Sequence, residues 1–139
     1  MRSAAPIAIL VPMPISCLIA DDNAAFLMAA RGLLERQGID IAGTARTSAE
    51  CLNSAKKLAP QVVLVDINLG DDDGFDLARQ LRAQPVAPEV ILISTYDEQE
   101  YAEAIAASDA VGFLTKSMLS ASALETLLGR DFRVAEPTS

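Results

Sequence analysis

Residues 62–77 read VVLVDINLGDDDGFDL. The first four form an unbroken apolar run, three of them Val, and the run stops at an acid, Asp66. Such a run suits a strand buried on both faces, as in a parallel sheet covered by helices. The INLGDDDG that follows reads as a loop, and a helix is expected over about 74–83. Strand, loop and helix in that order make one half of a crossover unit, and the flanks repeat it.

Toward the N-terminus, ISCLIA (15–20) is a strand, followed by a helix over about 24–37 with Phe26, Leu27, Ala30, Leu33 and Leu34 at helical spacing. Gly38 ends that helix as a C-cap glycine. IDIAGTA (39–45) is a weaker strand, and Thr47 or Ser48 caps a helix over about 48–59, which Pro60 stops. Toward the C-terminus come the strand EVILIS (89–94), a helix over about 97–107 and the strand VGFLT (111–115). A last helix over about 118–129 carries Ala121, Leu124, Leu127 and Leu128 on one face. Five strands alternating with five helices predict an α/β fold, a doubly wound parallel sheet with helices on both faces. This domain covers 15–129, with an N-terminal extension over 1–14 and a C-terminal tail over 130–139.

The bulk composition narrows the function. At 139 residues the chain fits one domain with a normal core. Its net charge of -8, with no basic cluster, argues against direct nucleic-acid binding. There is no histidine, which removes histidine acid–base catalysis and histidine phosphotransfer and argues against zinc. Cys17 and Cys51 lie in apolar or helical contexts and read as reduced, buried thiols of a cytoplasmic protein. Pro6, Pro12 and Pro14 interrupt the apolar start, which lacks a cleavage site, so export is not expected. No stretch is long enough to cross a bilayer.

In an open α/β sheet, ligands bind beyond the carboxyl ends of the strands. Those ends carry Asp21 and Asp22 after the first strand, Asp66 after the third, Ser94 and Thr95 after the fourth, and Lys116 after the fifth. Right-handed crossovers bring these strands side by side. Two carboxylates about 4 Å apart repel by about 4 kcal/mol at an effective dielectric near 20. Three together need cations: Lys116 supplies one, and a hard divalent ion bound by oxygen, Mg²⁺ first, is the natural second.

The segments LIADDN, VVLVDINLGDDDGFDL, VILISTYD and VGFLTKS resemble successive motifs of bacterial response-regulator receiver domains. The resemblance runs over about 15–129 and implies a flavodoxin-like fold of strand order 2-1-3-4-5. It implies a phosphoacceptor switch of two-component signalling rather than an enzyme. Asp66 would take a phosphoryl group from a sensor histidine kinase or histidine phosphotransfer protein, giving an acyl phosphate. Asp22, Asp66 and the backbone carbonyl of Asn68 would hold Mg²⁺, with Asp21 acting through a water. Ser94 and Lys116 would contact the phosphoryl oxygens. Phe113, with Thr95 beside the phosphoryl pocket, would make up the switch facing a downstream output protein or domain, or a second copy in a phosphorylation-dependent homodimer. Gly74 matches the glycine closing the loop after the phosphorylated strand.

The pattern departs from the family in places. Gly70 stands where proline is common, which should loosen the loop. Thr95 replaces a smaller residue and should restrict the pocket. Asp109 replaces glycine, and Ser117 follows Lys116 where many receivers have proline, excluding a cis-proline. Two rival readings remain: a receiver-like interaction module that is never phosphorylated, and a haloacid-dehalogenase-like phosphatase. The second wants an acid two residues after the nucleophile, where this chain has Asn68. An EF-hand loop starting at Asp66 fails at its sixth position, Asp71.

Overall fold

The computed structural model describes residues 14–96 and 100–129, so most of the N-terminal extension and the whole C-terminal tail lie outside it. In chain order the elements are β1 (Ser16–Ala20), α1 (Ala24–Arg36), β2 (Asp40–Ala45), α2 (Ser48–Leu58), β3 (Val62–Asp66), β4 (Asn68–Leu69), β5 (Asp72–Asp73), α3 (Gly74–Arg82), β6 (Glu89–Ser94), α4 (Ala102–Ala106), β7 (Gly112–Thr115) and α5 (Ala121–Leu128). Five of the strands form one parallel sheet in the order β2-β1-β3-β6-β7. Counting the main sheet alone, this is the expected 2-1-3-4-5.

Strand alternation sends successive side chains to opposite faces, which divides the core in two. Cys17, Ile19, Leu64, Ile91 and Ile93 pack with Leu34 of α1 and Leu124 of α5. On the other face Leu18, Val63, Val65, Val90 and Leu92 pack with Cys51 and Ala55 of α2 and Leu77 and Leu81 of α3. Every residue of β3 is buried, as a strand covered on both sides requires. Both cysteines are free and buried, and burial pushes each thiol up to about 12.

Most helix ends follow the expected chemistry. Thr47, not Ser48, caps α2: its hydroxyl accepts from the Glu50 N–H at 3.1 Å. Gly38 lies at φ +94 after α1. Asp109, standing where the family has glycine, adopts a left-handed backbone at φ +64, and no peptide bond among the described residues is cis.

Three elements differ from the sequence reading. The loop after β3 contains an antiparallel hairpin, β4 against β5, with Asn68 opposite Asp73 and Leu69 opposite Asp72. Gly70 turns this hairpin at φ +62, a value closed to proline, so it has a defined task instead of loosening the loop. The helix expected over 97–107 is α4, five residues long, and its expected start at 97–99 lies outside the described residues. Tyr101 at its N-cap offers no capping bond, and the Ser108 hydroxyl donates to the Ile105 carbonyl at its far end. The helix expected from 118 begins at Ala121, because Ser120 caps it by accepting from the Ala123 N–H. Residues Lys116–Met118 form a 3-10 turn before it.

Candidate functional site

The parallel register puts the strand ends level. Asp66 lies opposite Ile93, one residue before Ser94, and Ser94 lies opposite Thr115, one residue before Lys116. On the other side β1 pairs with β3, and the Asp21 N–H continues toward β2 by donating to the Ala45 carbonyl at 3.0 Å. Main-chain pairing alone therefore delivers Asp21, Asp66, Ser94 and Lys116 to one edge.

There, Lys116 Nζ stands 2.6 Å from Asp21 Oδ2 and 3.1 Å from Asp66 Oδ2. Asp21 is fully buried, and among the described residues the Lys116 ammonium is the one polar partner of its Oδ2. Asp21 Oδ1 accepts from the Asn23 N–H at 2.8 Å, and Asp66 Oδ1 accepts from the Asn68 N–H at 3.0 Å. Asp21, Asp22 and Asp66 each offer an oxygen within 4.8 Å of the others.

Burial raises the Asp66 carboxyl to about 6, and the charge of Asp21 adds to this, while the Asn68 N–H and Lys116 oppose it. Burial by itself would lower the Lys116 ammonium, yet its contacts with Asp21 and Asp66 prevail and raise it. Lys116 is thus a firmly held cation, and among the described residues the one paired with these carboxylates. Three carboxylates and one ammonium leave the ionised cluster with a charge of two minus. The donors are all oxygen, the buried Asp21 Oδ2 has no partner but Lys116 among the described residues, and Asp22 is exposed at the mouth. These residues fit a hard divalent cation.

The neighbouring elements fix these acids in place. Arg46 donates from Nη2 and Nε to the Asp22 carbonyl at 2.9 and 3.3 Å. Asp72 Oδ2 accepts from the Ser48 N–H at 2.8 Å, which ties the hairpin to the start of α2. At Gly74 a Cβ would lie 2.1 Å from the Asp66 carbonyl oxygen, so α3 begins in contact with the backbone of Asp66. The Asp-Gly pair is therefore more than a turn dipeptide.

The sequence-derived residues divide into two groups. Asp21, Asp22, Asp66 and Lys116 converge, and Asn68 meets Asp66 through its N–H. Ser94 is buried at the same edge, its hydroxyl accepting from the Tyr96 N–H at 3.1 Å, and Thr95 beside it is exposed. Phe113 is half-buried against the cluster that holds Leu92, with Tyr101 and Ile105 on the same face. Sequence reading missed Arg46 and Asp72, whose roles depend on contacts across twenty-four residues. It also missed Phe26 as a site residue: its ring faces Lys116 Nζ at 4.4 Å from the centroid.

The profile of the response regulator receiver domain matches residues 17–128. The protein-glutamate methylesterase/protein-glutamine glutaminase of Archaeoglobus fulgidus is 32% identical over 127 residues, covering 88% of this chain and 36% of that protein. Transcriptional regulatory protein MctR of Rhizobium johnstonii is 30% identical over 119 residues, 83% of this chain and 56% of that protein. The chain thus spans little more than half, at most, of either relative. A signal receiver domain from Mycobacterium tuberculosis superposes with a TM-score of 0.75 at 26% identity, over 86% of this chain and 100% of that one. A family match of this span, on a sheet of this order, means that the chain belongs to the response regulator receiver domain family.

Proposed function

We propose that this receiver domain takes a phosphoryl group on Asp66 in a Mg²⁺-dependent reaction and thereby changes the face around Phe113. One observation carries the reading: a lone ammonium, Lys116, lies against Asp66 and Asp21 at the carboxyl edge of the sheet, in a cluster of three carboxylates. A cluster with that surplus of negative charge is stable when a cation joins it.

Asp66, Asp22 and the Asn68 carbonyl would hold the ion, with Asp21 behind them through a water. Bound there, it supplies charge cancellation between the carboxylates and the phosphoryl oxygens. A carboxylate oxygen of Asp66 attacks phosphorus, the O–P bond forms, and the phosphorus–nitrogen bond of a phosphohistidine breaks, its electron pair staying on the imidazole. Lys116 offers its ammonium to the transferred oxygens, and the Ser94 hydroxyl donates to another. Arg46 keeps Asp22 in place through its carbonyl. The donor would be a sensor histidine kinase or a histidine phosphotransfer protein in the cytoplasm, and the receiver of the signal an output protein or domain.

Incubation with acetyl phosphate and Mg²⁺ should add one phosphoryl group, labile to hydroxylamine. Asp66→Asn should abolish it with the fold intact. Labelling of that variant at another residue would overturn the assignment, and a wild type that takes no label would make this a receiver-like module acting through contacts alone.

A further inference from the structure

Asp21, Asn23, Phe26 and Lys116 close a loop of contacts. Asp21 Oδ1 accepts from the Asn23 N–H at 2.8 Å, and Asn23 Oδ1 accepts from the Phe26 N–H at 3.0 Å as the N-cap of α1. The Phe26 ring then lies over Lys116 Nζ, 4.4 Å from centroid to nitrogen, and Nζ returns to Asp21 Oδ2 at 2.6 Å. One carboxylate thus fixes the ring through one oxygen and the ammonium through the other.

We infer that Phe26 is a positioning residue for the phosphoryl transfer, its ring holding the Lys116 ammonium in place as the carboxylates turn to other partners. The inference rests on the function proposed above. The physical need is plain from the geometry. In the absence of other cations, Asp21 and Asp66 hold Lys116. Once those oxygens are shared with a divalent cation, their hold on the ammonium weakens, and like charge pushes it outward. The negative face of an aromatic ring keeps attracting a cation under those conditions, more strongly at a site shielded from water. The Lys116 side chain is 18% exposed and Phe26 is partly buried against the core shared by α1 and α5, so neither is free to wander. An aliphatic residue at position 26 would fill the same space and supply no such attraction.

The chain has three lysines, Lys56, Lys57 and Lys116, which makes the test direct. With ¹³C-labelled lysine in the full chain, the Lys116 ε-protons should lie upfield of those of Lys56 and Lys57, because they sit over the face of a ring. Phe26→Leu should remove that displacement and slow Asp66 phosphorylation by acetyl phosphate about three- to tenfold, the range expected from the loss of one such contact. Phe26→Tyr, which keeps the aromatic face, should restore both. Lys116 signals that coincide with the other two in the wild type would overturn the contact without any variant having to fold. A Phe26→Leu rate equal to wild type, or a Phe26→Tyr protein as slow as Phe26→Leu, would overturn the positioning role. If the wild type takes no phosphoryl group, the function proposed above and this role in transfer both fall, and the lysine spectrum still decides whether the ring holds the ammonium.

Discussion

At Asp66 the sequence told more than its neighbours did. An acid ending a β-branched run, with acids and a lysine at other strand ends, is enough to place the cluster from sequence, because parallel pairing leaves few ways to arrange strand termini. Arg46 and Phe26 were illegible for the same kind of reason: one reads as a surface arginine and the other as a core aromatic, and only the turn of α1 and the β2 end bring them to the acids. The two glycines of the neighbouring loop separate clearly. A methyl at position 74 would strike the Asp66 and Ile67 backbone, which cannot yield as a side-chain tip could. Gly74→Ala should therefore lose about 3 kcal/mol of stability, the upper end of overpacking penalties. A methyl at position 70 would come no closer than 3.4 Å to the Asp22 carboxylate, leaving the φ of +62 as the main cost. Gly70→Ala should lose about 1 kcal/mol. Urea denaturation of the two variants checks the order, and equal midpoints would contradict the contact drawn for Gly74.

Among the elements, those with a continuous apolar run or a clear cap were read within a residue or two, and those whose limits depend on loops were not. The hairpin β4–β5 was read as plain loop because two-residue strands carry no periodicity. The start of α5 lies three residues beyond the expected 118, because Ser120, one serine among several in this stretch, is its cap. The strand ends of β6 and β7 bear on how a local charge could reach a surface. The Ser94 hydroxyl now accepts from the Tyr96 N–H, and drawing it toward a phosphoryl oxygen would break that bond and loosen the turn after β6. Phe113, opposite Leu92 on the adjoining strand, is the large side chain placed to respond. Charge-assisted hydrogen bonds contribute about 1.5–3 kcal/mol each, so two of them approach the roughly 5.5 kcal/mol that reverses a population from 1:99. Ser94→Ala should accept beryllofluoride yet fail to reproduce the wild-type backbone NMR shifts over residues 100–118. A full wild-type pattern in that variant would show that the signal leaves by another route.

For the whole molecule, the concentrated acid edge links folding to both protons and metal. The folded Asp66 carboxyl titrates near 6 instead of near 3.8, so without metal the folded state binds the extra proton between those values. Its contribution to stability is complete at low pH and is lost as pH rises through about 6. Asp66→Asn, which carries no such charge, should therefore gain on wild type as the pH goes from about 5 to about 7 in chelator. Millimolar Mg²⁺ should narrow the gap by raising the wild-type melting temperature. A gap that is constant with pH and indifferent to Mg²⁺ would show that the cluster is neither strained nor a metal site. The seat of Gly74 on the Asp66 carbonyl gives this edge a mechanical asymmetry as well. The main chain of Asp66 is backed by α3, four of whose nine residues are buried, so it cannot recoil in that direction. Beside it in the sheet, past the end of β6, lie the exposed Thr95 and Tyr96 and then α4, five residues with none buried. One neighbour is an anvil and the other has room to give, so a bulky dianion at Asp66, where the proposed function puts one, would have its displacement sent along the sheet toward Ser94 and Phe113.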